Sequence, residues 1–218
     1  MPVRVFPDHY REGDARCELL PRGTLLWRVH RVRRDARAFV PPRADPVSAG
    51  ARFDGTSLWP YSFYYAADLP ETALTESLMR DRDPTAEAHL IGYEEVAGRR
   101  LSAVRTTREL RLLRLCSATD VRAVYQDERL LWTVDESYAH TRVWAGRLWC
   151  AEGSAEGLLW MSRTNFPERA LMLFGDRCDP VPLEQVPALN VELSEPDGLA
   201  AANGLLRPFH AAIAGGPS

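Results

Sequence analysis

The sequence predicts an α+β fold built around one core, and three observations lead there. Short runs of alternating apolar and polar residues, the pattern of half-buried strands, recur from residue 25 to residue 193. Helical patterns lie between them without regular βα alternation, which sets aside a doubly wound parallel sheet. The length of 218 residues, with 45% hydrophobic and 26% charged side chains, suits a single globular domain spanning 1–218.

The elements follow in order. Leu25 to Arg31 alternates around Trp27 and Val29 and reads as the first strand. Asp35 to Trp59 is rich in Pro, Ala, Gly and Asp and reads as a long loop around a short element at Ala51-Arg52-Phe53. Tyr61 to Ala67 is an aromatic-dense strand. A helix is expected from there to about Arg80, with Asp68 as cap, Glu71 completing a capping box and Pro70 in the first turn. Its apolar residues Leu69, Ala73, Leu74 and Leu78 fall on one side, leaving Glu76 opposite, where neither capping nor the core needs it.

Strands are expected at His89–Val96, Arg99–Arg105 and Glu109–Leu115. Helices are expected at Ala118–Tyr125, behind a Ser117 cap, and at Glu136–Cys150. Leu158–Ser162 and Ala170–Phe174 read as buried strands bracketing a turn at Asn165-Phe166-Pro167. A strand at Ala188–Leu193 and a terminal helix at Gly198–Ala214 close the chain.

Composition narrows the function. The formal charge of −3 and the pI near 6.0 offer no bulk positive field for a nucleic-acid backbone. The chain has no lysine, so Schiff-base and phosphate-loop lysine chemistry is excluded and anions must be held by guanidinium or backbone N–H groups. Neither a G-x-G-x-x-G nor a phosphate-loop motif is present. Cys17, Cys116, Cys150 and Cys178 form no C-x-x-C pair and read as buried free thiols. The five histidines show no ligand spacing, so no metal is expected. The first residues lack the apolar run of a signal peptide and no stretch reaches membrane-span length, so a cytoplasmic protein without membrane contact is expected.

Five short motifs stand in a telling order: Leu-Trp-Arg-Val-His-Arg (26–31), Ala-Arg-Phe-Asp-Gly (51–55), Tyr-Tyr-Ala-Ala-Asp (64–68), Thr-Ala-Leu-Thr-Glu (72–76) and Gly-Leu-Leu-Trp-Met-Ser-Arg (157–163). Together with a middle helix at 138–145, this pattern resembles the RES domain family, named for its Arg, Glu and Ser, over about residues 24–176. The resemblance implies an α+β fold with a mixed, mostly antiparallel sheet, related to ADP-ribosyltransferase toxins. It also implies action on NAD+ as substrate, with no further cofactor, and an Xre-type antitoxin partner that blocks the cleft. Activities in the family are NAD+ hydrolysis, NAD+ phosphorolysis and ADP-ribosylation of a protein. The segments before Leu25 and beyond about residue 180 are then extensions, able to add a cap or a homodimer surface.

The residue chemistry agrees with that resemblance. Arg28 and Arg52 suit a pyrophosphate, which guanidinium groups hold through bidentate hydrogen bonds. Glu76 suits the oxocarbenium-like ribose formed when nicotinamide departs. Nicotinamide leaves as a neutral ring, so no second carboxylate is required. Tyr64 and Tyr65 alternate across their strand, so one ring faces the cleft; the resemblance points to Tyr65, which matches the family's tyrosine eleven residues before the glutamate. Ser162 is expected to bond ribose or phosphate, or to orient Glu76. His30 shares a strand face with Arg28 and is the one histidine placed to reach the site. The competing reading is a non-catalytic module that binds a nucleotide or a partner.

Overall fold

A computed structural model describes residues 6–45, 50–83, 85–132 and 138–215. Its main sheet has nine strands: β1 (Cys17–Leu20), β2 (Leu25–Arg31), β3 (Phe63–Ala67), β5 (Arg99–Thr106), β6 (Leu110–Leu115), β7 (Gly157–Met161), β8 (Arg169–Phe174), β9 (Leu183–Gln185) and β10 (Val191–Glu192). The order is β1-β6-β7-β8-β3-β2-β5-β10, with β9 also on β5. β6 and β7 run parallel, while every other pairing in this sheet is antiparallel. A parallel pair, β4 (His89–Ile91) and β11 (Ala211–Ile213), forms a second small sheet. The result is the mixed, mostly antiparallel α+β architecture expected from the sequence.

Period-two alternation sorts the strands onto two cores. Trp27, Val29, Phe63 and Tyr65 face the larger core with helix α1 (Pro70–Leu78) and helix α5 (Tyr138–Ala151). Leu26 and Tyr64 face a smaller one covered by Ala36 and Phe39. Helix α6 (Pro196–Leu206) packs against α1 and β10. No helix among the described residues is long and apolar enough to cross a membrane.

Several expectations are corrected. α1 starts at Pro70 behind Leu69, and no side chain caps it. The Asp68 carboxylate instead accepts a 2.7 Å bond from Arg169 Nε on β8. A charge-assisted bond to guanidinium is the stronger partner, so the cap is forgone. Residues 89–96 split into β4 and one turn of helix, α2 (Tyr93–Val96), because Glu95 folds back onto Gly92 N at 2.9 Å. β1 was not expected at all. Residues 51–53 form a turn.

Helix α3 (Ala118–Ala123) carries the expected cap, Ser117 accepting from Asp120 N. It stops short of Tyr125, which sits at φ 57°. A turn of helix, α4 (Arg129–Trp132), follows. The start of the expected helix at 136 lies outside the described residues. The terminal helix ends at Leu206, and His210 turns the chain left-handed at φ 51° into β11. The cysteines are unpaired, but only Cys178 is buried, and Cys150 is exposed. Burial pushes the Cys178 thiol up to about 12.

Candidate active site

The cleft arises where the sheet splits. β2 and β3 share one register pair, Trp27 opposite Ala67, and their ladder goes no further. Beyond it Val40 pairs with Phe63, and a cavity of ≈ 370 Å³ opens among Trp27, Arg28, Arg43, Arg52, Tyr65, Glu76, Arg80, Arg99 and Trp160. Among the described residues, five arginines therefore line one cleft against two carboxylates, Glu76 and Asp54.

Glu76 stands at the end of the second turn of α1, on the edge of its buried face. Ser162, wholly buried at the end of β7, donates to Glu76 Oε1 at 2.6 Å. The Ser162 oxygen in turn accepts from Thr164 N at 3.2 Å and Asn165 N at 3.1 Å. A hydroxyl has one proton and two lone pairs, so Ser162 is saturated and has nothing left for a ligand. Of the roles open to it from sequence, the geometry fits orienting the carboxylate.

The turn that carries Ser162 is stapled to α1. Thr164 Oγ1 donates to Thr75 Oγ1 at 3.0 Å and Asn165 Nδ2 to Thr72 Oγ1 at 2.7 Å. Glu76 Oε2 makes no hydrogen bond to the described residues and is available to a ligand.

Arg52 projects from the 51–54 turn, 4% exposed. α5 grips that turn, since Thr141 Oγ1 donates to the Arg52 carbonyl at 2.6 Å. Burial draws the Arg52 guanidinium below its ordinary value, opposed first by the charge of Glu76, yet an arginine stays protonated. Asp54 Oδ2 closes the turn by accepting from Ala51 N and Arg43 Nε, both at 2.9 Å. Gly55 is required here, because a Cβ would lie 1.9 Å from the Tyr61 carbonyl oxygen.

Tyr65 faces the cleft. Its hydroxyl accepts from Phe53 N at 2.9 Å, and its ring stands edge-on to Trp160 at 6.1 Å. Burial, reinforced by the Asp54 charge, pushes its phenol well above the usual range, so it stays neutral.

Arg28 occupies the floor of the split. Its guanidinium lies 4.1 Å from the centre of the Tyr64 ring and donates to the carbonyls of Ala36 at 3.2 Å and Ala38 at 3.0 Å. Its Nε is buried without a hydrogen-bond partner.

The structure thus brings Arg28, Arg52, Tyr65 and Glu76 to one cleft, with Ser162 behind Glu76. It does not bring Tyr64 or His30 there. Tyr64 is wholly buried in the smaller core, donating to the Ala36 carbonyl at 3.0 Å, and props Arg28 from beneath. His30 shares Arg28's strand face, but its ring is held against β5, where Nε2 meets Ser102 Oγ at 2.9 Å.

Arg43, Asp54, Arg80 and Arg99 line the cleft and were missed from sequence. Arg80 alone had a visible signal, standing four residues after Glu76 on the same helical stripe. Among the described residues no three His, Cys, Asp or Glu side chains gather as a metal site would require.

A search of curated proteins returns no match. Among solved structures, the chain is similar to one from the crystal structure of the M. tuberculosis MbcT-MbcA toxin-antitoxin complex. The likeness has a TM-score of 0.57 at 17% identity and covers 80% of this chain and 86% of that one. At such identity the likeness is one of fold. The RES domain model matches residues 25–194, which runs past the sequence motifs to include β9 and β10 on the edge of β5. With that match over most of its length, this chain belongs to the RES domain family.

Proposed function

We propose that this chain cleaves the bond between nicotinamide and ribose in NAD+ and serves as the toxin of a toxin–antitoxin pair. The observation that carries the reading is a carboxylate, Glu76, held by a saturated buried hydroxyl inside a cleft lined by arginines. Arg28 and Arg52 supply guanidinium forks for the pyrophosphate. Tyr65, Trp27 and Trp160 supply an apolar aromatic wall for the nicotinamide ring.

As the C–N bond breaks, its electron pair returns to the pyridinium nitrogen and positive charge develops on the ribose. Glu76 stabilises that charge because Ser162 fixes one oxygen and leaves the other for the sugar. The oxygen of water or of inorganic phosphate then bonds to the sugar carbon, and water gives up its proton. The neighbouring fold from a toxin–antitoxin complex supports a partner protein that restrains the enzyme.

The test is incubation of the full chain with NAD+, with and without phosphate, followed by mass-resolved chromatography. Nicotinamide with ADP-ribose is the expected product of hydrolysis. A phosphorylated ADP-ribose that forms only with phosphate identifies phosphorolysis. Intact NAD+ in both tubes overturns depletion of the free cofactor, and added ADP-ribose on cellular proteins would then establish transfer to protein.

A further inference from the structure

We propose that Arg99, with Arg31 opposite it, forms a phosphate subsite at the mouth of the cleft, separate from the arginines assigned to the pyrophosphate. The inference rests on the reading of the cleft as a site for a nucleotide.

The β2–β5 register sets Arg31 directly across from Arg99. Directly opposed residues share a face of the sheet, and like charges there destabilise the pairing. The nearby Glu95 offsets it only in part. Glu95 is taken by Arg82 at 2.7 Å and by Gly92 N at 2.9 Å. Asp35 is taken by Arg37 at 2.9 Å, and Glu192 by Arg100. Neither Arg31 nor Arg99 has an ion-pair partner among the described residues.

Arg31 spends one N–H on the Ala97 carbonyl at 3.1 Å. Arg99 Nε is buried with no hydrogen-bond partner among the described residues, while the side chain lines the same cleft as Glu76 and Arg80. Burial, and then the Arg31 charge, draws the Arg99 guanidinium below its ordinary value, a penalty that a bound anion removes. Among the described residues neither guanidinium has an ion-pair partner, Arg99 lines the cleft and Arg31 stands opposite it across the sheet, and a tetrahedral dianion matches the two forks. Two sources carry that chemistry: a phosphate borne by the substrate itself, as on the 2′-hydroxyl of a phosphorylated dinucleotide, and free inorganic phosphate.

Calorimetric titration of the full chain distinguishes them without requiring turnover. The ligands are inorganic phosphate, adenosine 5′-monophosphate and adenosine 2′,5′-bisphosphate, and the proteins are wild type, Arg99→Gln and Arg31→Gln. If the subsite holds the substrate's own phosphate, wild type prefers the bisphosphate over the monophosphate and Arg99→Gln erases that preference. If it holds free phosphate, wild type binds the inorganic ion and Arg99→Gln weakens this about tenfold or more.

Both substitutions relieve like-charge repulsion, so the variants should melt no lower than wild type. Phosphate should raise the wild-type melting point more than theirs. Affinities for both phosphate ligands that stay unchanged in Arg99→Gln and Arg31→Gln overturn the subsite, as does a wild type that binds inorganic phosphate not at all and shows no preference for the bisphosphate. A chain that binds phosphate through Arg99 yet leaves NAD+ intact overturns the proposed cleavage and keeps the subsite. A chain that cleaves NAD+ with both phosphate affinities indifferent to Arg99 does the reverse.

Discussion

Replacing Ser162 by alanine removes one hydroxyl that serves three groups at once. Its bond to Glu76 is 2.6 Å long and charge-assisted, a class worth about 1.5–3 kcal/mol. Glu76 is partly exposed, so water recovers part of that, leaving about 1 kcal/mol. The N–H groups of Thr164 and Asn165 lose their acceptor at a wholly buried position, which costs roughly 1–3 kcal/mol more. The total of about 2–4 kcal/mol lowers the melting point by roughly 5–15 °C in a chain of this length.

The folded fraction should also lose rate, because Glu76 no longer has a fixed rotamer. The expected drop in kcat is about ten- to a hundredfold, with KM nearly unchanged, as for loss of a group acting in the transition state. Thermal melting by circular dichroism and steady-state release of nicotinamide on the same sample measure both. Thr164→Val is the comparison, since it loses the staple to Thr75 and a 3.1 Å contact with Ser162 Oγ but only a 3.5 Å contact with Glu76 Oε1, so it should lower the melting point while keeping most of kcat. A folded Ser162→Ala protein with wild-type kcat would refute the positioning role.

Arg52→Lys keeps the charge and loses the fork, so KM for NAD+ should rise about tenfold with a smaller change in kcat, read from steady-state kinetics. Glu152, buried at the end of α5, accepts from Tyr10 Oη at 2.6 Å, Gly13 N at 3.0 Å and Ala15 N at 3.3 Å. Glu152→Gln should cost about 1–3 kcal/mol and speed proteolysis within residues 6–15 while leaving nicotinamide release unchanged. Burial, aided by the Arg28 charge, lowers the His30 pKa below its ordinary 6.5 in the folded chain. The unfolded chain therefore binds the proton more readily. The contribution is full above 6.5 and is lost as pH falls through the lower folded value. Denaturant midpoints measured from about pH 8 to about pH 5 should fall for wild type and flatten for His30→Gln.

Sequence patterning read the strong elements well, because their periodicity is driven by burial. β2, β7 and β8 alternate or run apolar for the reason they are buried, and Glu76 was singled out because the apolar stripe of α1 excludes it. Asp68 was misread as a cap because its real partner, Arg169, lies about a hundred residues away in another strand. Alternation put Tyr64 and Tyr65 on opposite faces without saying which ring meets the cleft, and it could not show that β2 and β3 part after one register pair. That split lets Arg28 reach the cleft from the opposite face to Tyr65 while His30, two residues on, meets Ser102. Arg43 and Asp54 of the long 35–59 segment converge with Arg99 of β5, and such convergence belongs to the tertiary fold.

The most direct test of the proposed chemistry is a comparison of wild type with Glu76→Gln, incubated with NAD+ and followed by mass-resolved chromatography. The amide keeps the size of the side chain and can still accept from Ser162, but it has lost the charge that stabilises the ribose cation. Nicotinamide should accumulate with wild type and fall by about a hundredfold or more with a folded Glu76→Gln protein. Equal release by the two proteins would contradict a reaction carried by Glu76.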